Sequence, residues 1–199
     1  MAMTPLQICE AVNTVRGEAI VVCTMTAMNV LDTLKPWHPL TISSVPLMGG
    51  AGSLGLGIAL AQPQRKVIVL DGDSSLLMEL GGLATIAGAR PSNLYHLVFA
   101  NGVQFNGNYC LDLADNGRAD FAGIARSAGY ASAEHWREAG DLDGLAALLQ
   151  RQGPCFVELA VTPTPSKLSA ENPAPQTTDA RFTRMGDEGR TIMRTLGIP

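Results

Sequence analysis

Four short runs of this chain are apolar almost from end to end: Ala19–Cys23, Lys66–Asp71, Leu94–Ala100 and Cys155–Val161. All are rich in β-branched or aromatic residues and too short to pack as helices. A strand with one wet face would alternate apolar and polar residues, so these runs need cover on both faces. That is the condition of strands in a parallel sheet. Segments of helical period precede and separate them. Thr4–Val15 places Leu6, Ile8, Cys9 and Val12 on one face, and Ser75–Ala87 places Leu76, Leu80, Leu83 and Ile86 likewise. Glycine-rich residues 49–57 lead into a helix ending near Gln62, and Thr26 caps a short helix reaching Leu34. Leu40–Val45 reads as a second, short strand, and Ala119–Ala128 and Leu142–Gln150 as further helices. Strands alternating with helices predict an α/β fold with a mainly parallel central sheet and helices on both faces. Ligands of such sheets bind beyond the carboxyl ends of the strands. The loops after Val45, Leu70 and Ala100 are therefore where chemistry is expected.

At 199 residues the chain predicts one domain over 1–162, followed by a C-terminal arm and helix over 163–199. The arm is rich in Pro, Ser and Thr, and the helix begins near Thr178. A net charge of -4 argues against a nucleic-acid protein, which would need a basic stripe. Charged residues make up only 16%, which points to a surface partly covered by another chain. Cys9, Cys23, Cys110 and Cys155 form no CxxC pair and read as core residues in a reducing compartment. No basic start precedes an apolar run, and no run approaches the ~20 residues of a membrane span. The expected location is the cytoplasm.

Two motifs compete at the strand ends. Gly50-Ala-Gly52-Ser-Leu-Gly55 fits GxGxxG, with Asp71 ending the next strand. That arrangement suits an NAD(P)-binding Rossmann turn, although small residues there also let a helix pack closely on a sheet. The second motif is Asp71-Gly72-Asp73-Ser74-Ser75 after one strand and Ala100-Asn101-Gly102-Val103 after the next. Asp73 offers a carboxylate at a strand end where a helix starts, Asn101 a neutral amide oxygen and Val103 a main-chain carbonyl. Three such oxygens suit Mg²⁺ shared with phosphate and water.

Gly72-Asp73-Ser74, 26 residues (75–100) and then Asn101 resemble the motif of the thiamine-diphosphate-dependent 2-oxoacid decarboxylases. The run Asp71–Ala87 is similar to the sulfopyruvate decarboxylase β subunit and to phosphonopyruvate decarboxylase. Met48-Gly49, Ser53–Leu60, Asn93-Leu94 and Gly153–Glu158 extend the likeness over roughly residues 15–162. The resemblance implies the diphosphate-binding domain of such an enzyme. In it Asp73, Asn101 and Val103 would hold Mg²⁺, while Gly72, Ser74 and Ser75 would line the diphosphate. Met48 would be the apolar wedge under the cofactor, with the Pro46 carbonyl and Gly49 beside the pyrimidine. Gln104, Phe105, Asn106 and Tyr109 would lie on a loop bordering substrate, Gln104 being the candidate to touch it. Close relatives carry Asp-Asn-Gly-Val-Tyr-Gly where this chain has Ala100–Phe105.

The family needs a glutamate beside the pyrimidine, from a second domain of similar size that 199 residues do not hold. The expected partner is a pyrimidine-binding α subunit supplying it, in an α2β2 or larger hetero-oligomer. The expected reaction is Mg²⁺-dependent decarboxylation of a small anionic 2-oxoacid such as sulfopyruvate or phosphonopyruvate. The alternatives are an NAD(P)-binding oxidoreductase subunit using Gly50, Gly52, Gly55 and Asp71, a carboligating or acyl-transferring thiamine-diphosphate enzyme, and a non-catalytic regulatory subunit. His96 reads as a packed core histidine, and Arg181, Arg184, Arg190 and Arg194 as a solvated helix face or, alternatively, a clamp for an anionic group.

Overall fold

A computed structural model describes residues 2–34, 37–106, 109–113, 118–162 and 182–198. Helix α1 (Pro5–Val15) starts at a reciprocal cap: the Gln7 N–H donates to Thr4 Oγ1 at 3.2 Å, and the Thr4 N–H to Gln7 Oε1 at 2.9 Å. Pro5 occupies the first turn, where its missing N–H costs nothing. Ile8, Cys9 and Val12 are the buried face.

Six parallel strands follow in the order β2-β1-β3-β4-β8-β7. They are β1 (Ile20–Cys23), β2 (Thr41–Ser43), β3 (Val67–Gly72), β4 (Leu94–Ala100), β7 (Ser132–Trp136) and β8 (Cys155–Ala160). The predicted α/β sheet is thus present; β1, β2, β3, β4 and β8 are largely buried, whereas the edge strand β7 is only partly so. Ile68, Leu70, Leu97, Phe99, Val157 and Leu159 pack under α1 and α2 (Met25–Leu31). Val67, Val69, Leu94, Val98 and Phe156 pack under α3 (Ala51–Ala61), α5 (Gly82–Ala89) and α6 (Phe121–Ala128). The order reverses at β1, between β2 and β3, which is where a doubly wound sheet opens a crevice.

Several elements differ from the sequence reading. The helix over 75–87 is two helices, α4 (Asp73–Met78) and α5, because Glu79 leaves helical geometry ahead of the poor helix formers Gly81 and Gly82. The cap of α2 is Thr24 rather than Thr26. Its hydroxyl donates to the Leu70 carbonyl at 3.3 Å and accepts no hydrogen bond from its own helix. The expected loop at 104–109 is a hairpin, β5 (Val103–Asn106) against β6 (Tyr109–Asp112). Residues 142–150 form a 3-10 turn (Ala139–Gly144) and the short α7 (Leu145–Leu148). Strand β7 had no sequence signal.

The arm at 163–181 lies outside the described residues. The last helix, α8 (Met185–Thr195), packs against β2. Glu188 Oε2 accepts from both N–H and Oγ of Ser43, each at 2.7 Å. Arg184 donates to both Asp32 oxygens at 2.9 and 3.0 Å and stacks 4.9 Å from the Trp37 ring centroid. No helix among the described residues is long and apolar enough to cross a membrane.

Candidate functional site

A cleft opens at the carboxyl ends of β1, β2, β3 and β4. Its lining comes in four groups. Thr24, Met25 and Thr26 follow β1; Ser44, Val45 and Met48 follow β2. Gly72, Asp73, Ser74, Ser75 and Met78 form the β3–α4 turn and α4. Phe99, Asn101, Val103 and Gln104 close the side of β4 and β5. Eight residues singled out from sequence therefore share one cleft: Met48, Gly72, Asp73, Ser74, Ser75, Asn101, Val103 and Gln104. Thr24, Met25, Thr26, Ser44, Val45, Met78 and Phe99 join them without having been expected. Their one signal was position, since most lie at the ends of predicted strands.

Asp73 is 2% exposed. Its Oδ1 accepts from the Ser74 N–H at 2.8 Å and its Oδ2 from the Gly102 N–H at 2.7 Å, so one carboxylate ties the β3 and β4 turns together. Gly102 sits at φ 71°, a backbone that favours glycine. Asn101 Oδ1 accepts from the Val103 N–H at 3.0 Å, which fixes the amide beside Asp73. The acidic, amide and main-chain oxygens offered here form a hard donor set, and no His or Cys lines the cleft among the described residues. That chemistry fits Mg²⁺ rather than a thiolate or imidazole metal. Around Gly72 a side chain would meet only Thr24 Oγ1, 4.0 Å away, so the backbone is open to a ligand.

Pro46 and Gly49 lie beside this lining rather than in it. Pro46, Leu47 and Met48 form the exposed tip of the turn after β2, with Met48 65% exposed at the mouth. Gly49 is buried at φ 85°, and its N–H donates to Ser75 Oγ at 3.3 Å. Nothing is described of the side chains of Phe105, Asn106 and Tyr109. His38 precedes β2, at the opposite ends of the strands, where its Nδ1 accepts from the Leu40 N–H at 3.2 Å. Arg184 is engaged with Asp32, and Arg190 with Asp187.

The glycine motif serves packing. A Cβ on Gly55 would lie 2.4 Å from Val69 Cγ2, and one on Gly52 3.2 Å from Ile86 Cδ1. Asp71 is buried and turned to the sheet face, bonded to the Gly72 N–H and facing His96 at 3.3 Å, so no carboxylate is presented to a ribose. The NAD(P) reading is thereby corrected.

Fold and cleft together define an α/β protein whose cleft, at the switch point of its sheet, offers oxygen donors suited to a metal-bound anion. Residues 19–159 match the family model described as "Thiamine pyrophosphate enzyme, C-terminal TPP binding domain". The chain belongs to that family. It is 43% identical over 122 residues to a phosphonopyruvate decarboxylase of Streptomyces viridochromogenes, covering 60% of this chain and 30% of that protein. It is 40% identical over 116 residues to the sulfopyruvate decarboxylase subunit beta of Methanothermobacter thermautotrophicus, covering 58% of this chain and 59% of that one. These curated relatives thus extend well beyond the part that the chain spans. An X-ray structure from Mycobacterium smegmatis, classed among thiamin diphosphate-dependent enzymes, superposes with a TM-score of 0.68 at 24% identity. It covers 81% of this chain and 32% of that one, and shows the shared fold.

Proposed function

We propose that this chain is the diphosphate-binding subunit of a thiamine-diphosphate- and Mg²⁺-dependent decarboxylase acting on a small anionic 2-oxoacid of the sulfopyruvate or phosphonopyruvate kind. The observation that carries this is the convergence of Asp73, Asn101 and Val103 in one cleft of a chain of this family. Asp73 and Asn101, with the Val103 carbonyl, hold the metal. Ser74 and Ser75, at the turn entering α4, line the diphosphate. Met48 supports the cofactor from the β2 side, and Gln104 reaches the substrate from the hairpin. When bound, thiamine diphosphate supplies the carbon nucleophile and the electron sink that loss of CO₂ requires. The protein contributes binding, orientation and exclusion of water. Two relatives named as decarboxylases favour this reaction over carboligation or acyl transfer.

The activating glutamate comes from a pyrimidine-binding partner. A relative named "subunit beta" supports a two-chain enzyme, and a pair of each chain is the simplest assembly. The unit formed by residues 1–162 carries the cofactor contacts of this chain, and 163–199 adds the arm and α8.

The test mixes this chain with a pyrimidine-binding partner and measures CO₂ release from sulfopyruvate and phosphonopyruvate. Activity is expected only with both chains, Mg²⁺ and thiamine diphosphate, and Asp73→Ala abolishes cofactor and metal binding. Decarboxylation by the purified chain alone would overturn the partner requirement. Full cofactor binding by Asp73→Ala would overturn the assignment of the site.

A further inference from the structure

The metal-facing oxygens leave one buried carboxylate without a role. Asp71 stands two residues before Asp73 and is 1% exposed. Its Oδ2 lies 3.3 Å from Nε2 of His96, which is also 1% exposed, and His96 Nδ1 lies 3.2 Å from the Tyr130 hydroxyl. The sheet register explains the alignment. Asp71 pairs with Val98 and His96 with Val69, so both side chains leave the face under α3 and α5. Phe156 packs edge-on to both rings, with centroids 5.3 Å from His96 and 5.6 Å from Tyr130.

Burial, with the Asp71 carboxylate beyond, raises the Tyr130 phenol well above its ordinary value, so the hydroxyl keeps its proton. The Asp71 carboxylate can only accept, so His96 Nε2 donates to it, while Nδ1 faces the Tyr130 hydroxyl. A buried polar line of this kind is costly unless each member is satisfied. Apolar residues of similar volume would hold the same layers together at least as well, so the line does more than fill space.

Its far end touches the cofactor turn. Asp71 Oδ1 accepts from the Gly72 N–H at 2.8 Å. Gly72 has no side chain to anchor it, and the nearest atom to a Cβ there would be 4.0 Å away. Asp73, Ser74 and Ser75 leave directly from this peptide.

We propose that Asp71 is a positioning residue, held from behind by His96 and Tyr130, that locks the Gly72 peptide and so sets the direction in which Asp73 and Ser74 face the metal and diphosphate. This rests on reading the cleft as a thiamine-diphosphate site. A partner group held by an outer layer of hydrogen bonds loses about 10–100-fold in metal affinity when that layer is removed.

The test compares Asp71→Leu, Asp71→Asn, Tyr130→Phe and Asp73→Asn. Amide hydrogen exchange is measured in the free chain, and Mg²⁺–thiamine diphosphate affinity in the chain with its partner. In Asp71→Leu the amides of Gly72 and Ser74 are expected to exchange at least tenfold faster, while central amides of β1 and β8 keep their protection. Cofactor affinity falls by about tenfold or more. Asp71→Asn keeps an acceptor for Gly72 and restores part of both. Tyr130→Phe moves both readouts in the same direction by less, and carries the test if Asp71→Leu does not fold. Unchanged Gly72 exchange, or an equal loss of protection across the whole sheet, would reduce the line to core packing and overturn the proposal. Asp73→Asn separates the two levels. If it leaves affinity intact, the site itself is misread; if it weakens binding while Asp71→Leu does not, only the positioning role fails.

Discussion

At the scale of single residues, the glycines divide by what surrounds them. On α3, Gly55 lies where a Cβ would stand 2.4 Å from Val69 Cγ2, whereas Gly57 has nothing within 4 Å. Gly55→Ala should therefore destabilise the chain by about 1–3 kcal/mol through overpacking. Gly57→Ala should stabilise it by about 0.4–1 kcal/mol, because alanine restricts the unfolded chain. Urea unfolding of both variants checks the pair, and equal effects would show that α3 does not press on β3 there. Gly49 is more constrained. It combines φ 85° with a Cβ position 2.9 Å from Glu79 Cγ and 3.1 Å from Met78 Cβ. Gly49→Ala should cost about 1–2 kcal/mol in backbone strain alone, read in the same unfolding experiment. GxGxxG misleads as a nucleotide signature because Gly52 and Gly55 serve the close packing of α3 on α5 and the sheet, while Gly50 only closes the turn over Leu47. Asp73 and Asn101 were legible because each sits at the end of an unmistakable strand and their spacing is a property of the chain. Thr24, Ser44 and Phe99 were not, since only the folded sheet brings four strand ends to one cleft.

At the scale of elements, the strands buried on both faces were the easiest to read. Leu94–Ala100 appears with the same bounds in sequence and structure. Strand β7 was invisible because Ser-Ala-Glu-His lacks both an apolar run and alternation; it is an edge strand held by pairing to β8. Its His135 Nε2 lies 2.9 Å from Asp120 Oδ1 and 3.4 Å from Glu158 Oε2, joining β7 and β8 to the cap of α6. The Asp120 carboxyl is held below its usual value, first by the Gly123 N–H it accepts from and then by His135. A depressed folded pKa stabilises above the unfolded value and is lost as pH falls through the folded one. Asp120→Ala should therefore cost about 0.5–2 kcal/mol at neutral pH, as for other N-caps. That difference should shrink in acid once Asp120 is protonated, which thermal unfolding against pH measures. Helix α8 makes an analogous prediction. Glu188→Ala would leave the Ser43 N–H, buried on edge strand β2, without its 2.7 Å acceptor, at a cost of about 1–3 kcal/mol. Faster exchange of the Ser43 amide, with the centre of β4 unaffected, is the expected signature; unchanged exchange would mean that another group takes over.

At the scale of the whole molecule, the cleft is open and its rim is apolar. Leu47 is 47% exposed, Met48 65% and Met78 43%, all around the mouth of the cleft. Single exposed apolar residues are ordinary, but a group of them at a ligand site marks a surface that another molecule covers. The sparse charge seen in the sequence has the same sense. If the partner chain docks here, its arrival both buries this rim and completes the cofactor pocket, so assembly and cofactor affinity are coupled. Leu47 separates the two, since it stands on the rim without lining the cleft. Leu47→Glu should leave the stability of the isolated chain within about 0.5 kcal/mol, as surface changes do. Bringing an unpaired carboxylate into the interface should weaken association with the partner at least about tenfold, since each ~1.4 kcal/mol is a factor of ten. Sedimentation velocity of the mixture measures the association, and calorimetry measures cofactor binding in the same samples. Weakened assembly with cofactor affinity recovering at saturating partner places the docking surface at this rim. Unchanged assembly would move the partner to another face and leave the exposed rim to the substrate.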